Sequence, residues 1–305
     1  MTLSQTVEIE AITYIHEIIE NNGPEECEYQ LMENSLSALS EMIKNGILSP
    51  LELADMTLAC NFLNTTDSIM GHIKQKPYGY AGDFEIIEKI YQTIIKKPEF
   101  RKWDEYALKH PAAVAVRNRK KYFLRLIRER FTDRKAVELI NIASGPGRDL
   151  FEAYGNLLSG QTLTTHCVEM DATAIEFAKA LNSQHLNHIT FENRNIFRFR
   201  TEKKYDIIWS AGLFDYFEDK MFVKLLTNFG EWLKPDGEII IGNFNEDHNP
   251  SRLFMEMFGE WHLNHRSEEH LIELATQAGF QKENIWVGHE EENINLFLHI
   301  RKSGK

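Results

Sequence analysis

Three short stretches carry residue types that could do chemistry. The first is Ser144-Gly145-Pro146-Gly147, set between the apolar run 136–143 and a helix opening at Arg148. A parallel strand that turns through glycines into a helix leaves backbone N–H groups facing outward. Glycine suits a tight bend and the close approach of a ligand. The second is Glu169-Met170-Asp171, 22 residues beyond Gly147, a carboxylate at the tip of the next apolar strand. Such a carboxylate can accept both hydroxyls of a ribose, each charge-assisted bond worth roughly 1.5–3 kcal/mol. The third is Asn195-Ile196-Phe197 at the end of a third strand. Asn195 offers a donor and an acceptor to an adenine edge, and Ile196 and Phe197 can flank the ring. An Asn after a strand is also an ordinary turn residue.

The turn departs from a dinucleotide cradle. Leu150 stands where G-x-G-x-x-G wants its third glycine, and Pro146 removes one backbone donor. An acidic second-strand tip selects an unphosphorylated ribose. Adenosine with a cationic tail fits these residues better than a phosphorylated nucleotide.

These motifs need a sheet to hold them. Strands are expected at 136–143, 162–169, 188–192, 204–210, 237–243, 284–290 and 294–301, with helices at 147–158, 172–182, 218–233 and 266–278. The turn at Glu290-Glu291-Glu292-Asn293 makes the last two strands antiparallel neighbours. The fold class is therefore α/β: a Rossmann-like seven-stranded sheet with an antiparallel C-terminal strand, plus an all-helical N-terminal region. The fourth strand opens into Ser210-Ala211-Gly212-Leu213-Phe214-Asp215-Tyr216, beside the glycine turn.

Helices are expected before the sheet at 4–22, 25–44, 50–72, 84–97, 98–109 and 111–131. Ser49-Pro50-Leu51-Glu52 combines a Ser cap, Pro at the first position and Glu three after the cap. Between two helices lies Pro77-Tyr78-Gly79-Tyr80-Ala81-Gly82-Asp83, either tyrosines packed over a core or a lid bringing aromatic faces to a ligand. No stretch rich in Pro, Gly or Ser separates this region from the sheet. The expected division is 1–132, a helical cap or lid, and 133–305, the ligand-binding domain.

The ordered set resembles the class I S-adenosylmethionine-dependent methyltransferases: strand–GxG–helix, acidic second tip, Asn at the third, Tyr205-Asp206-Ile207-Ile208-Trp209-Ser210 at the fourth, and Leu233-Lys234-Pro235-Asp236-Gly237 before the fifth. The Tyr-Gly stretch and the closing Asn293-Ile294-Asn295-Leu296-Phe297 resemble a narrower group, which makes 3-hydroxypalmitic acid methyl ester or cyclises S-adenosylmethionine to azetidine-2-carboxylate. The resemblance implies S-adenosylmethionine as cofactor, held by Asn141, Ala143, Ser144, Gly145, Gly147, Glu169, Met170, Asn195, Ile196, Ser210 and Ala211. Arg117 is the candidate grip on the methionine carboxylate. Asn141 stands where the family usually has an acid, and Ala143 where it has glycine. Tyr78, Tyr80 and Tyr216 can face the sulfonium, and Asp215 or one of His248, His262 and His265 can take a proton from a hydroxyl or amine acceptor. The implied activity is in-line methyl transfer to a small or lipid-like acceptor, the alternative being a cyclising lyase that releases methylthioadenosine. A non-catalytic binder is a third reading.

Composition narrows the partners. The 305 residues carry a formal net charge of −12, which argues against nucleic acid. The basic run from Arg117 to Arg130 is more a solvated helix face than a polyanion site. The three cysteines form no zinc or disulfide pattern. His262, His265 and His270 lack a Cys or carboxylate partner, so no metal is expected. No spanning run and no basic leader are present, so a cytoplasmic protein is expected, with a homodimer among the assemblies open to it.

Overall fold

In the computed structural model, residues 3–302 are described. The chain forms two compact units. One takes the chain up to Val114 together with Asn249–His262; the other takes Ala115–His248 together with the chain from Leu263.

The second unit is built on seven strands: β1 (Ala136–Ile142), β2 (Thr162–Glu169), β3 (Ile189–Asn193), β4 (Tyr205–Ser210), β5 (Leu233–Phe244), β6 (Ile285–His289) and β7 (Asn295–Arg301). Their order is β3-β2-β1-β4-β5-β7-β6. β3, β2, β1, β4 and β5 run parallel, while β7 runs antiparallel between β5 and β6. The seven strands and antiparallel final strand read from the sequence are thus present. β1 and β4 are apolar nearly throughout because both faces are covered. Val137 and Leu139 pack with Phe123, Leu126 and Ile127 of the helix Pro111–Arg130 and with Leu150 and Tyr154 of the helix Arg148–Gly155. Ile140 and Ile142 pack with Phe222, Leu225 and Phe229 of Asp219–Trp232 and with Leu271 and Leu274 of Glu268–Gln277. The chain reverses sheet direction between β1 and β4, so their carboxyl ends flank the crevice where open α/β sheets bind ligands.

The first unit is helical, from α1 (Leu3–Glu20) through α2 (Tyr29–Lys44), α3 (Pro50–Thr57), α4 (Ile69–Gln75), α5 (Phe84–Gln92) and α6 (Arg101–Lys109). The helix Pro111–Arg130 is α7, Arg148–Gly155 is α8, Ala172–Leu181 is α9, Asp219–Trp232 is α10, Arg252–Gly259 is α11, and Glu268–Gln277 is α12. α11 adds its Phe254 and Phe258 to the first unit's core, where Phe62 stacks on Trp103 at 4.4 Å and Trp103 meets Phe258 at 5.3 Å.

Two helices are shorter than the periodicity suggests. The expected helix 50–72 ends at Thr57; a 3-10 turn at Asn61–Asn64 follows, and α4 starts afresh with Ser68 capping Gly71 N–H at 2.9 Å. The run Asn64-Thr65-Thr66-Asp67-Ser68 supplies side chains that compete with helical hydrogen bonding. The expected helix 84–97 stops at Gln92 because Thr93 turns left-handed at φ 53°.

Candidate functional site

β1 ends in a turn whose conformations explain its residues. Ala143, Gly145 and Gly147 take φ values of 53°, 55° and 65°. A non-glycine residue there carries strain, so Ala143 is an unusual occupant of a position suited to glycine. Gly147 is required for a second reason: a Cβ would lie 3.2 Å from Ala178 Cβ and 3.1 Å from Asn182 Nδ2. Asn182 Nδ2 donates to Gly147 O at 3.1 Å, tying the turn to the end of α9. Gly145 has open space on its Cβ side.

The turn's own donors are spoken for. Ala143 N–H donates to Val168 O at 2.8 Å, Gly145 N–H to Glu169 Oε2 at 3.0 Å and Gly147 N–H to Ser144 O at 3.3 Å. With Pro146 contributing none, this is no phosphate cradle. Glu169 Oε1 also accepts from Met170 N–H at 2.7 Å and Asp171 N–H at 3.0 Å. Burial raises the Glu169 carboxyl, against the pull of these three N–H bonds.

Around this turn the structure gathers most of the residues the sequence singles out. Met170 is 64% exposed at the β2 tip, a large apolar side chain without cover. Asn195 caps its own 3-10 turn by accepting from Phe197 N–H at 2.9 Å, and its Nδ2 points to Met170 Sδ at 3.4 Å; Ile196 is buried beside it. Ser210 Oγ donates to Ile142 O at 3.2 Å, joining the ends of β4 and β1. Asp215 is buried, with Oδ1 accepting from Phe244 N–H at 2.7 Å, and burial pushes its carboxyl up to about 6. Tyr216 is 39% exposed in the same loop.

Arg119 is the residue that sequence reasoning passes over. It is buried on α7, and its Nη1 donates to Ala211 O at 3.0 Å. Its guanidinium lies near Asp149 and Asp215 and lowers both carboxyls against burial. Asp149, the second residue of α8, is pushed up to about 6 by burial, offset by the Leu150 N–H, Arg119 and the nearby Asn141 amide. Asn141 thus lacks the family's charge, and Asp149 supplies a carboxyl close by. Arg117, two residues before Arg119, projects about 200° away around the helix, and burial lowers its basicity. Helical spacing would have found Arg119, since it shares the buried stripe of Val116 and Phe123.

Tyr78 and Tyr80 belong to the first unit. Tyr78 packs edge-on against Phe84 at 4.7 Å and donates to Glu85 Oε2 at 3.1 Å. Tyr80 is half-buried. The first unit also holds Ser251 Oγ 2.5 Å from His110 Nδ1, whose Nε2 lies 3.0 Å from Glu33 Oε1. The order is that of a nucleophilic triad, but Ser251 is fully buried and its oxygen accepts from Ala112 N–H, so it caps α7. Among the described residues no cluster of three or more His, Cys, Asp or Glu side chains is placed to hold a metal, and no helix is long and apolar enough to cross a membrane.

A seven-stranded sheet of order 3-2-1-4-5-7-6, with a glycine turn after β1 and a carboxylate at the β2 tip, defines an α/β methyltransferase fold. A family model described as a methyltransferase domain matches residues 133–294, more than half of the chain, and the chain belongs to that family. Among solved structures it is similar to a possible exported protein from Bordetella parapertussis, with TM-score 0.62 and 15% identity, covering 99% of this chain and 98% of that one. It is also similar to the S-adenosylmethionine-dependent methyltransferase SibL in its apo form, with TM-score 0.52 and 10% identity, covering 87% of this chain and 77% of that one. At these identities the likeness is one of fold. Curated proteins contain no match. The protein is an S-adenosylmethionine-dependent methyltransferase, and its residues fit that cofactor. Arg119 Nε is a buried polar atom without a hydrogen-bond partner, and the buried Asn141 Nδ2 and Ser144 Oγ have no close one, only Asp149 and Cys167 nearby, as expected where a ligand completes the set.

Proposed function

We propose that the enzyme transfers the methyl group of S-adenosylmethionine in line to a small or fatty-acid-like acceptor bearing a carboxyl or hydroxyl. Glu169 takes the ribose hydroxyls, Met170 and Ile196 flank the adenine with Asn195 at its edge, and the glycine turn backs the adenosyl group. Arg119, rather than Arg117, grips the methionine carboxylate, with Asn141 and Ser144 beside it. The observation that carries this reading is the buried Arg119 Nε without a hydrogen-bond partner, beside Asn141 and Ser144 at the carboxyl end of the sheet. The bound cofactor supplies an electrophilic methyl; the chain's own contribution is alignment and exclusion of water. The aromatic face of Tyr216 adds about 0.5–2 kcal/mol of cation–π attraction at a desolvated sulfonium; Tyr78 and Tyr80, the other expected faces, belong to the first unit. For a hydroxyl acceptor, Asp215 holds the proton, its carboxyl already pushed up to about 6. The expected boundary at 132 moves: Ala115–His248 and the chain from Leu263 form the cofactor-binding unit, which takes in most of α7 with Arg119, while Asn249–His262 joins the helical unit. Three free cysteines, two of them buried, suit a reducing, cytoplasmic setting.

The resemblance of the Tyr-Gly stretch is the one ground for cyclisation, and membership of the methyltransferase family favours methyl transfer over it. Pure protein incubated with S-adenosylmethionine alone should release no methylthioadenosine; rapid release without an acceptor would replace methyl transfer with cyclisation. Calorimetry should detect adenosylhomocysteine binding, and its absence would leave only the non-catalytic reading.

A further inference from the structure

A further buried polar side chain at the carboxyl end of the sheet has no partner. Asn295, the first residue of β7, is 1% exposed, and neither its Nδ2 nor its Oδ1 makes a hydrogen bond. The backbone and the carboxylate beside it are satisfied. Its own N–H donates to Glu290 Oε1 at 3.0 Å, and its carbonyl accepts from Glu290 N–H at 3.3 Å. The Glu290 carboxylate also accepts from Ile294 N–H, Glu292 N–H and Asn118 Nδ2, at 2.8, 2.8 and 3.1 Å. A turn this thoroughly bonded could have held an apolar residue at 295. An unpaired buried amide costs stability, so its presence calls for a reason.

Position supplies one. Strand alternation puts Asn295 on the same sheet face as Phe297, which stacks on Tyr122 of α7 at 4.0 Å. Its register partner is Phe244, the last residue of β5, whose N–H is held by Asp215. Asn295 therefore stands at the carboxyl end of the parallel strands, on the β5 side of the switch point. The residues assigned to adenosine lie on the opposite side, at β2 and β3.

We propose that Asn295 recognises the polar head of the methyl acceptor. Its donor and acceptor together match a neutral group that also carries both, a hydroxyl or a carboxamide, while a carboxylate alone would leave Oδ1 unmatched. The proposal rests on the methyl-transfer reading and deepens it. Asn295 is a specificity-determining residue for the acceptor and makes no contribution to cofactor binding.

The test uses the full chain loaded with adenosylhomocysteine, with 3-hydroxybutyrate, butyramide and butyrate as probes, and the variants Asn295→Leu and Asn295→Ala. Wild type should show a thermal shift with 3-hydroxybutyrate and butyramide exceeding that with butyrate, and both variants should lose it. Both variants should bind adenosylhomocysteine within about twofold of wild type. Asn295→Leu should melt at the wild-type temperature or above, because an unpaired amide is removed; Asn295→Ala covers the case in which leucine overfills the site. Melting well below wild type in both variants would make the amide structural and overturn the proposal. A wild type that does not distinguish butyramide from butyrate would overturn it too. A large loss of adenosylhomocysteine affinity in the variants would reassign Asn295 to the cofactor. Failure of wild type itself to bind adenosylhomocysteine would instead count against the methyl-transfer reading.

Discussion

Two clusters of buried polar groups, one in each unit, stand in contrast. In the first, His72 Nε2 lies 2.8 Å from Asp83 Oδ2, His72 Nδ1 lies 2.8 Å from Lys89 Nζ, and Lys89 pairs with Glu85 at 3.0 Å. Glu85 goes on to Lys96 at 2.9 Å and Tyr78, and its carboxyl is held down at about 2. These partners close the chain of charges, and Asp83 also caps α5 through Ile86 N–H at 2.9 Å. At the carboxyl end of the second unit's sheet, Arg119 and Asn295 each keep a buried polar atom with nothing to bind. A closed network specifies a structure, whereas an open one specifies a visitor.

The comparison breaks first at Asp83. Asp83→Ala removes a helix cap and strands His72, so it should cost about 3 kcal/mol in urea unfolding. A cost below about 1 kcal/mol would show that the closed network adds little. Glu169→Ala comes next, with adenosylhomocysteine affinity expected to fall at least about tenfold, roughly 1.4 kcal/mol, by calorimetry. An unchanged affinity would detach the β2 tip from the cofactor.

Asp104 sharpens the contrast from inside the first unit. Its Oδ1 accepts from Ile69 N–H at 2.7 Å, its Oδ2 is partnerless, and burial pushes its carboxyl up to about 7. A carboxyl raised from 3.8 to about 7 gives stability that is full below pH 4 and drains away as pH climbs to 7. Asp104→Asn keeps the acceptor and abolishes the titration. It should therefore gain about 1–2 kcal/mol over wild type at pH 8, the advantage shrinking towards pH 4. A difference independent of pH would mean the carboxyl titrates normally. The smallest effect belongs to Ala143→Gly. Relief of the φ 53° strain opposes the added unfolded-state freedom, so stability should change by under about 1 kcal/mol.

The strand-turn-helix at 136–149 was legible because its signals agree: an apolar run that only a sheet covered on both faces accommodates, then glycines that only left-handed backbone needs. Glu169 was legible for a related reason, as an acid at the end of an apolar strand. Arg119 was not, because a basic run on a helix reads as solvent-facing until its spacing is compared with Val116 and Phe123. Asn295 escaped because a strand-opening Asn looks like turn punctuation, and only the full inventory of partners exposes its vacancy. The union of α11 with the first unit depends on long-range packing of Phe254 and Phe258, which no local pattern encodes.

Glu169 already uses three acceptor positions on backbone N–H groups, one of them from Gly145. A carboxylate offers about four. Two ribose hydroxyls arriving there cannot simply be added; one existing bond must open. On the proposed reading cofactor capture is an exchange, with a heat smaller than two new bonds would release and a glycine loop that loosens as the nucleoside settles.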